Sequence, residues 1–340
     1  MWNGDEWLER MYEETINRPA RQREELPNER RQRLRESLRH AVSSFPPNDQ
    51  HKPKLLERVE CDGYIRERVE LSATPGLTFA AYVLIPQHTQ GTLPAAVAMH
   101  GHGYGSREIV GLKRDGSPDE NAPGIHRHYA LELVKRGLIV IAPDVLGFGE
   151  RMLKSDLERD PSLPNSCHRL AAALLLMGKT LTGLRVAEAL CAYQYLRSRA
   201  DVDTDRIGMM GFSGGALISF AASVLEARIK AVVLSGYANT MKDSIIAVRH
   251  CIDNYTPGLL LHAELPELIG LIAPKALFLE SGGQDPIFPV AGFRKAVDVI
   301  SGIYESEGAG DKLAVDVFPG GHEVSGRMSY DWLKKELLGD

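Results

Sequence analysis

A chain of 340 residues with 44% hydrophobic and 25% charged residues can bury a large core without disulfides or metal staples. Its formal net charge is −5, with acids and bases interspersed, which excludes the broad basic face that nucleic-acid binding requires. Cys61, Cys167, Cys191 and Cys251 lie far apart and form no CxxC pair, so neither a disulfide framework nor a zinc knuckle is signalled and buried free thiols are expected.

The segment Met1-Trp2-Asn3-Gly4-Asp5-Glu6 has neither a basic n-region nor an apolar h-region. No later stretch approaches the roughly 20 apolar residues that span a bilayer. No membrane partner and a cytoplasmic location are expected. From Trp7 to about Ser44 the pattern is charged and helical, ending at Phe45-Pro46-Pro47-Asn48, where two prolines stop a helix. Residues 1–50 are therefore expected to form a helical N-terminal extension and residues 51–340 the main domain. The charges at Arg21, Glu25, Arg30, Arg33 and Arg35 read as a solvated helix face with surface pairs. A homodimer through the extension stays open.

Leu56 to Leu71 and Leu77 to Ile85 alternate apolar and polar residues around Thr74-Pro75-Gly76, which predicts an antiparallel hairpin. Short apolar runs follow, each leading into a loop and a helix: Ala95 to Met99, Leu138 to Ala142, Ile207 to Met210, Ala231 to Leu234, Ala276 to Leu279 and Leu313 to Phe318. Such runs are parallel strands buried on both faces beneath two layers of helices, and the fold class is α/β. Predicted helices cover His126 to Arg136, a long Leu170 to Arg199 segment, Ala216 to Glu226, Pro289 to Glu305 and Tyr330 to Leu338. The stretch between strands at about 236–268 is expected to act as a partial lid.

Gly211-Phe212-Ser213-Gly214-Gly215 stands between the strand Ile207 to Met210 and the helix that begins near Ala216. A GxSxG match alone is weak, but at a strand-to-helix turn it lifts a serine above the sheet edge, with glycines where a Cβ would collide. The same turn sets the Gly214 N–H beside a helix N-terminus, where developing negative charge is favoured. The second oxyanion donor is expected from the loop His100-Gly101-His102-Gly103-Tyr104-Gly105, with the His102 N–H as candidate. A dinucleotide fingerprint fails in register there, since Ser106 stands where the third glycine is needed, and no cofactor is expected.

A serine nucleophile needs a base, and the base a carboxylate. The strand Ala276 to Leu279 runs into Glu280-Ser281-Gly282-Gly283-Gln284-Asp285, and the last strand into Pro319-Gly320-Gly321-His322. Ser213, Asp285 and His322 thus follow in the chain order of an α/β-hydrolase. Glu280 is the reserve acid and Asp243 a weaker one.

From about Leu56 onward the sequence resembles the α/β-hydrolase superfamily. Within it the chain is similar to bacterial dienelactone-hydrolase-like and acetyl xylan esterase-like esterases. The motifs that carry this are His100-Gly101-His102-Gly103, Asp144-Val145-Leu146-Gly147-Phe148-Gly149-Glu150, Asp203-Thr204-Asp205-Arg206-Ile207-Gly208, the serine elbow and Gly320-Gly321-His322. The resemblance implies an α/β-hydrolase fold, a mostly parallel sheet with an antiparallel N-terminal hairpin, and hydrolysis of a small-molecule ester or lactone without cofactor. Dienelactone hydrolases carry cysteine where this chain has Ser213, so their substrate does not transfer.

His100, His102, His126 and His128 invite a metal reading, but no acid sits at ligand spacing and none is expected. Cys251 beside His250 lacks an elbow and reads as a packed thiol, while Asp144, Glu150 and Arg151 read as loop-shaping charges that brace the oxyanion loop. Tyr104, Tyr237, Tyr255 and Phe288 are candidate substrate contacts. Expected overall is a serine hydrolase cleaving a carboxylic ester. The alternatives are an oligopeptidase-like, lactone or thioester hydrolase on the same triad, or a non-catalytic binding protein on the fold.

Overall fold

The computed structural model describes residues 3–18, 21, 25–42, 44–87 and 91–339, so residues 19, 20, 22–24 and 43 of the charged N-terminal stretch lie outside the described residues. That stretch forms two helices, α1 (Gly4–Ile16) and α2 (Pro27–Ala41). The Asn3 side chain caps α1 by accepting from the N–H groups of Asp5 and Glu6, and Pro27 opens α2 where a missing N–H costs nothing. The charges do more than meet solvent. Leu34 and Leu38 bury α2 in the core, which brings Arg21 and Arg30 onto Glu267 and Arg31 within 3.2 Å of Glu307.

The described strands form one sheet. They are β1 (Lys54–Cys61), β2 (Tyr64–Thr74), β3 (Leu77–Pro86), β4 (Leu93–Met99), β5 (Ile139–Pro143), β6 (Val202–Phe212), β7 (Ala231–Ser235), β8 (Ala276–Gly282) and β9 (Leu313–Phe318). Their spatial order is β1-β2-β3-β5-β4-β6-β7-β8-β9, antiparallel from β1 to β5 and parallel from β5 to β9. The remaining helices are α3 (Ser106–Ile109), α4 (Tyr129–Lys135), α5 (Lys154–Arg159), α6 (Cys167–Leu176), α7 (Leu181–Ser198), α8 (Gly214–Leu225), α9 (Leu265–Gly270), α10 (Val290–Ser306) and α11 (Ser329–Leu338).

Alternation along the strands divides the core in two. On β4, Ala95, Val97 and Met99 join a layer with α7, α8 and α10 through Tyr193, Phe220 and Phe293. Ala96 and Ala98 face Tyr129 and Leu133 of α4 and Leu333 and Leu337 of α11. Both faces are covered, as continuous apolar runs require.

Four elements differ from their sequence reading. Asp62 and Gly63 turn the chain inside the first alternating stretch, so the hairpin gains a third strand. The Leu170 to Arg199 segment breaks at Gly178 (φ +68°), and Thr180 then caps α7 through its side chain. His126 to His128 is a turn, with Arg127 and His128 at φ of 52° and 44°, and the helix starts only at Tyr129. β9, the last of the described strands in the sheet order, is not buried on both faces: Val315 and Val317 are exposed while Asp316 and Phe318 between and beyond them are buried. No single helix among the described residues is long and apolar enough to cross a membrane.

Candidate active site

The parallel order brings the C-terminal ends of β4, β6, β8 and β9 to one edge, and each leads into a loop that the sequence singled out. Ser213 follows β6 at φ 54° and ψ −122°, a conformation that costs a residue with a Cβ on the order of 1–3 kcal/mol. Surrounding contacts hold it there. The Ser213 N–H donates to Ser235 O at 2.9 Å. A Cβ on Gly215 would lie 1.9 Å from Met99 O, and one on Gly211 would lie 2.3 Å from Gly215 O. These two glycines let α8 start hard against β4. Gly214 has open space by comparison, its nearest neighbour being 3.7 Å away.

The three singled-out side chains form one hydrogen-bonded row. Ser213 Oγ lies 2.9 Å from His322 Nε2, and His322 Nδ1 lies 2.7 Å from Asp285 Oδ2. The other carboxylate oxygen, Asp285 Oδ1, accepts from the N–H groups of Ile287 (2.8 Å) and Phe288 (2.9 Å). The imidazole is gripped between two rings, Phe212 at 4.8 Å and Phe288 at 5.6 Å between centroids. Glu280 is elsewhere: its buried carboxylate accepts from Ser235 Oγ, Ser325 N, Gly326 N and Ser329 Oγ. It ties down the loop just after His322, although burial raises its pKa. Asp243 pairs with Lys295 and Thr240.

The N–H of Gly214 starts α8 and has no helical acceptor. No acceptor among the described residues lies on the His102 N–H either. The loop that carries His102 is held from two sides. Gly101 N donates to His126 Nε2 at 3.1 Å, His126 Nδ1 lies 3.1 Å from Glu108 Oε1, and Glu108 Oε2 accepts from Tyr104 N. On the other side His100 Nε2 accepts from Val145 N at 2.9 Å, which leaves Nδ1 protonated to donate to Gly101 O at 2.7 Å. Burial lowers the His100 pKa to about 3, so the ring stays neutral.

Asp144 Oδ1 accepts from Ser106 N at 2.7 Å, and Arg151 pairs with Glu188. Burial pushes the Asp144 carboxyl up from 3.8 to about 6. The folded protein then binds this proton more tightly than the unfolded chain does, so its contribution to stability falls as pH rises from about 4 to about 6. Relative to wild type, Asp144→Asn should therefore be more stable at pH 7 than at pH 4, the difference growing by about 2 kcal/mol. Urea unfolding at the two pH values reads the effect, and a pH-independent difference would refute it.

The cavity beside Ser213 has a volume of about 260 Å³. Of the candidate contacts, Phe288 lines it, and three do not. Tyr104 donates to Leu112 O at 2.9 Å within its own loop and faces a separate cleft. Tyr237 is buried behind Phe288, with centroids 5.4 Å apart. Tyr255 donates to Ile245 O and lines an adjoining cavity of about 460 Å³. The wall is instead built by Ile125, Arg249, His250, Cys251, Asn254 and Ile287, mostly from the segment between β7 and β8. No motif marks that segment, and only its position after β7 pointed to it.

Three histidines of the metal reading have separate partners, His100 in Val145 N, His126 in Gly101 N and Glu108, and His128 at 3.5 Å from Asp119. Among the described residues one group of metal-type donors converges, His102, Cys167 and Cys251. The two cysteines meet although they are remote in sequence.

This architecture is shared. Solved structures similar to it include a protein from Bacteroides fragilis NCTC 9343 described as an acetyl xylan esterase (TM-score 0.77, 21% identity, 94% of this chain and 83% of that one). Others are a glucuronoyl esterase from Solibacter usitatus (0.63, 14%, 91% and 92%) and acetyl xylan esterase 1 from Thermoanaerobacterium sp. JW/SL YS485 (0.58, 17%, 92% and 98%). At these identities the likeness is one of fold. By sequence the chain is 30% identical over 251 residues to YtaP of Bacillus subtilis (strain 168), named as a hydrolase, covering 71% of this chain and 77% of YtaP. The sequence model of the Abhydrolase family matches residues 5–316, and with nearly the whole chain inside that match the protein belongs to the Abhydrolase family, hydrolases of the α/β fold.

Proposed function

We propose that the protein is a serine esterase acting on a carboxylic ester with a short acyl group. The observation that carries this is the Ser213–His322–Asp285 row, open to a cavity beside two backbone donors. Ser213 Oγ attacks the ester carbonyl while His322 Nε2 takes its proton. The N–H groups of Gly214 and His102 hold the oxyanion, and His322 returns the proton to the leaving alcohol. Water, activated by the same imidazole, then releases the acyl group. Asp285 keeps the Nδ1 proton in place throughout, and no step calls for a cofactor.

A cavity of about 260 Å³ lies below the usual range for drug-sized ligands, which favours an acetyl-sized acyl group. The adjoining cavity, with Asn165, His168 and Tyr255 in its wall, suits a polar alcohol. The solved relatives named as acetyl xylan and glucuronoyl esterases are in keeping with this reading.

A fluorophosphonate probe should label the protein with one equivalent, placed on the Ser213 peptide by mass spectrometry. Turnover of p-nitrophenyl esters should fall with acyl length beyond a few carbons. Absence of labelling would refute the assignment, and faster cleavage of peptide amides than of esters would move the activity to the oligopeptidase class.

A further inference from the structure

The chemistry proposed above leaves unused a group of side chains that stands against the same cavity. A ring nitrogen of His102 and the Sγ atoms of Cys167 and Cys251 all lie within 4.8 Å of one another. They come from three places: the loop after β4, the first residue of α6, and the irregular segment between β7 and β8. Donors bound at about 2.0–2.3 Å to a tetrahedral zinc-type cation stand about 3.3–3.8 Å apart, a spacing that small side-chain rotations reach from here.

The surroundings suit thiolate ligands. Arg185, fully buried, donates from Nη2 to Cys167 Sγ at 3.1 Å and pairs through its other terminal nitrogen with Asp253. Because Asp253 neutralises Arg185, a divalent cation on two thiolates meets no uncompensated positive charge. His102 and Cys251 belong to the walls of both the 260 and the 460 Å³ cavities, which leaves the fourth coordination position facing open space.

We propose that His102, Cys167 and Cys251 form a binding site for a thiol-preferring divalent cation of the zinc type, and that its occupation inhibits the enzyme reversibly. The bound cation ties the loop bearing the His102 N–H to α6 and to the segment that walls the Ser213 cavity. With two of its ligands in the wall of that cavity, the cation and whatever fills its fourth position narrow the space beside Ser213. The cation-binding part stands whether or not the substrate is an ester. The inhibition part rests on the esterase reading.

The test is titration of the reduced full chain with cobalt(II). One equivalent should bind, with a near-ultraviolet thiolate-to-cobalt charge-transfer band that zinc displaces and EDTA removes, and binding should tighten as pH rises because the thiols must lose protons. Cys167→Ser and Cys251→Ser should each weaken cobalt binding on the order of 100-fold, as loss of a ligand costs at least what loss of a supporting residue does. Cys61→Ser with Cys191→Ser should bind as wild type. A wild-type spectrum without the band overturns the site even if the serine variants fail to fold. Zinc should lower ester turnover of wild type and spare Cys251→Ser. Equal zinc sensitivity in both would overturn the inhibition.

Discussion

Ser213→Ala should lower kcat on p-nitrophenyl acetate by about 10⁶-fold with KM little changed, leaving a residue of about 10³–10⁴ over water from the oxyanion donors and binding. The substitution deletes one oxygen and its 2.9 Å hydrogen bond to His322 but leaves the elbow intact. Alanine keeps the Cβ, so the strain at φ 54° persists, and the close contacts of Gly211 and Gly215 are untouched. Folding stability measured by urea should therefore stay within about 1 kcal/mol of wild type, which separates lost chemistry from a lost fold. A purified Ser213→Ala protein that retains more than about 1% of wild-type turnover would show that another group attacks the ester.

How far the sequence leads depends on whether the forces that shape an element are local. Val232, Val233 and Leu234 are buried on both sides because β7 lies mid-sheet, and an unbroken apolar run states that environment directly. The turn at Gly63 was hidden because β1 is largely exposed, so its residues alternate in character no differently before and after the turn. Thr180 is a legible helix cap that the apolar run ending at Met177 masked. The elbow and the acid loop were legible because backbone packs against backbone there and leaves no room for a Cβ: one on Gly215 would lie 1.9 Å from Met99 O, and one on Gly282 would lie 2.0 Å from Gly321 O of the histidine loop. The cavity wall was not, since Arg249, His250 and Asn254 sit on irregular backbone whose path is fixed by long-range ties. Asp253 to Arg185 and Thr182 Oγ1 to Asp253 O are two of them. Glu264 and Glu267 show the same logic from the other side, receiving Tyr12 of α1 and Arg21, which lies between α1 and α2. The meeting of Cys167 with Cys251 follows from those ties and from no pattern in the chain.

Asp285→Asn should lower kcat by about 10⁴-fold through the tautomer of His322. In the native protein Asp285 Oδ1 is committed to the N–H groups of Ile287 and Phe288, and Oδ2 accepts from His322 Nδ1. An asparagine has one carbonyl oxygen, and the two backbone donors claim it, so its NH₂ group must face the imidazole. Nδ1 then becomes the acceptor and the ring proton moves to Nε2, where it points at Ser213 Oγ and blocks removal of the serine proton. The geometry stays near native while the base is disabled, so KM and fluorescence-monitored stability should change little. NMR of the ring nitrogens reads the tautomer directly and should show protonated Nε2 in the variant and protonated Nδ1 in wild type at neutral pH. A loss below about 10-fold would mean that the tautomer is set elsewhere. Glu280 is the nearest carboxylate on the same strand, but its four bonds already engage Ser235, Ser325, Gly326 and Ser329.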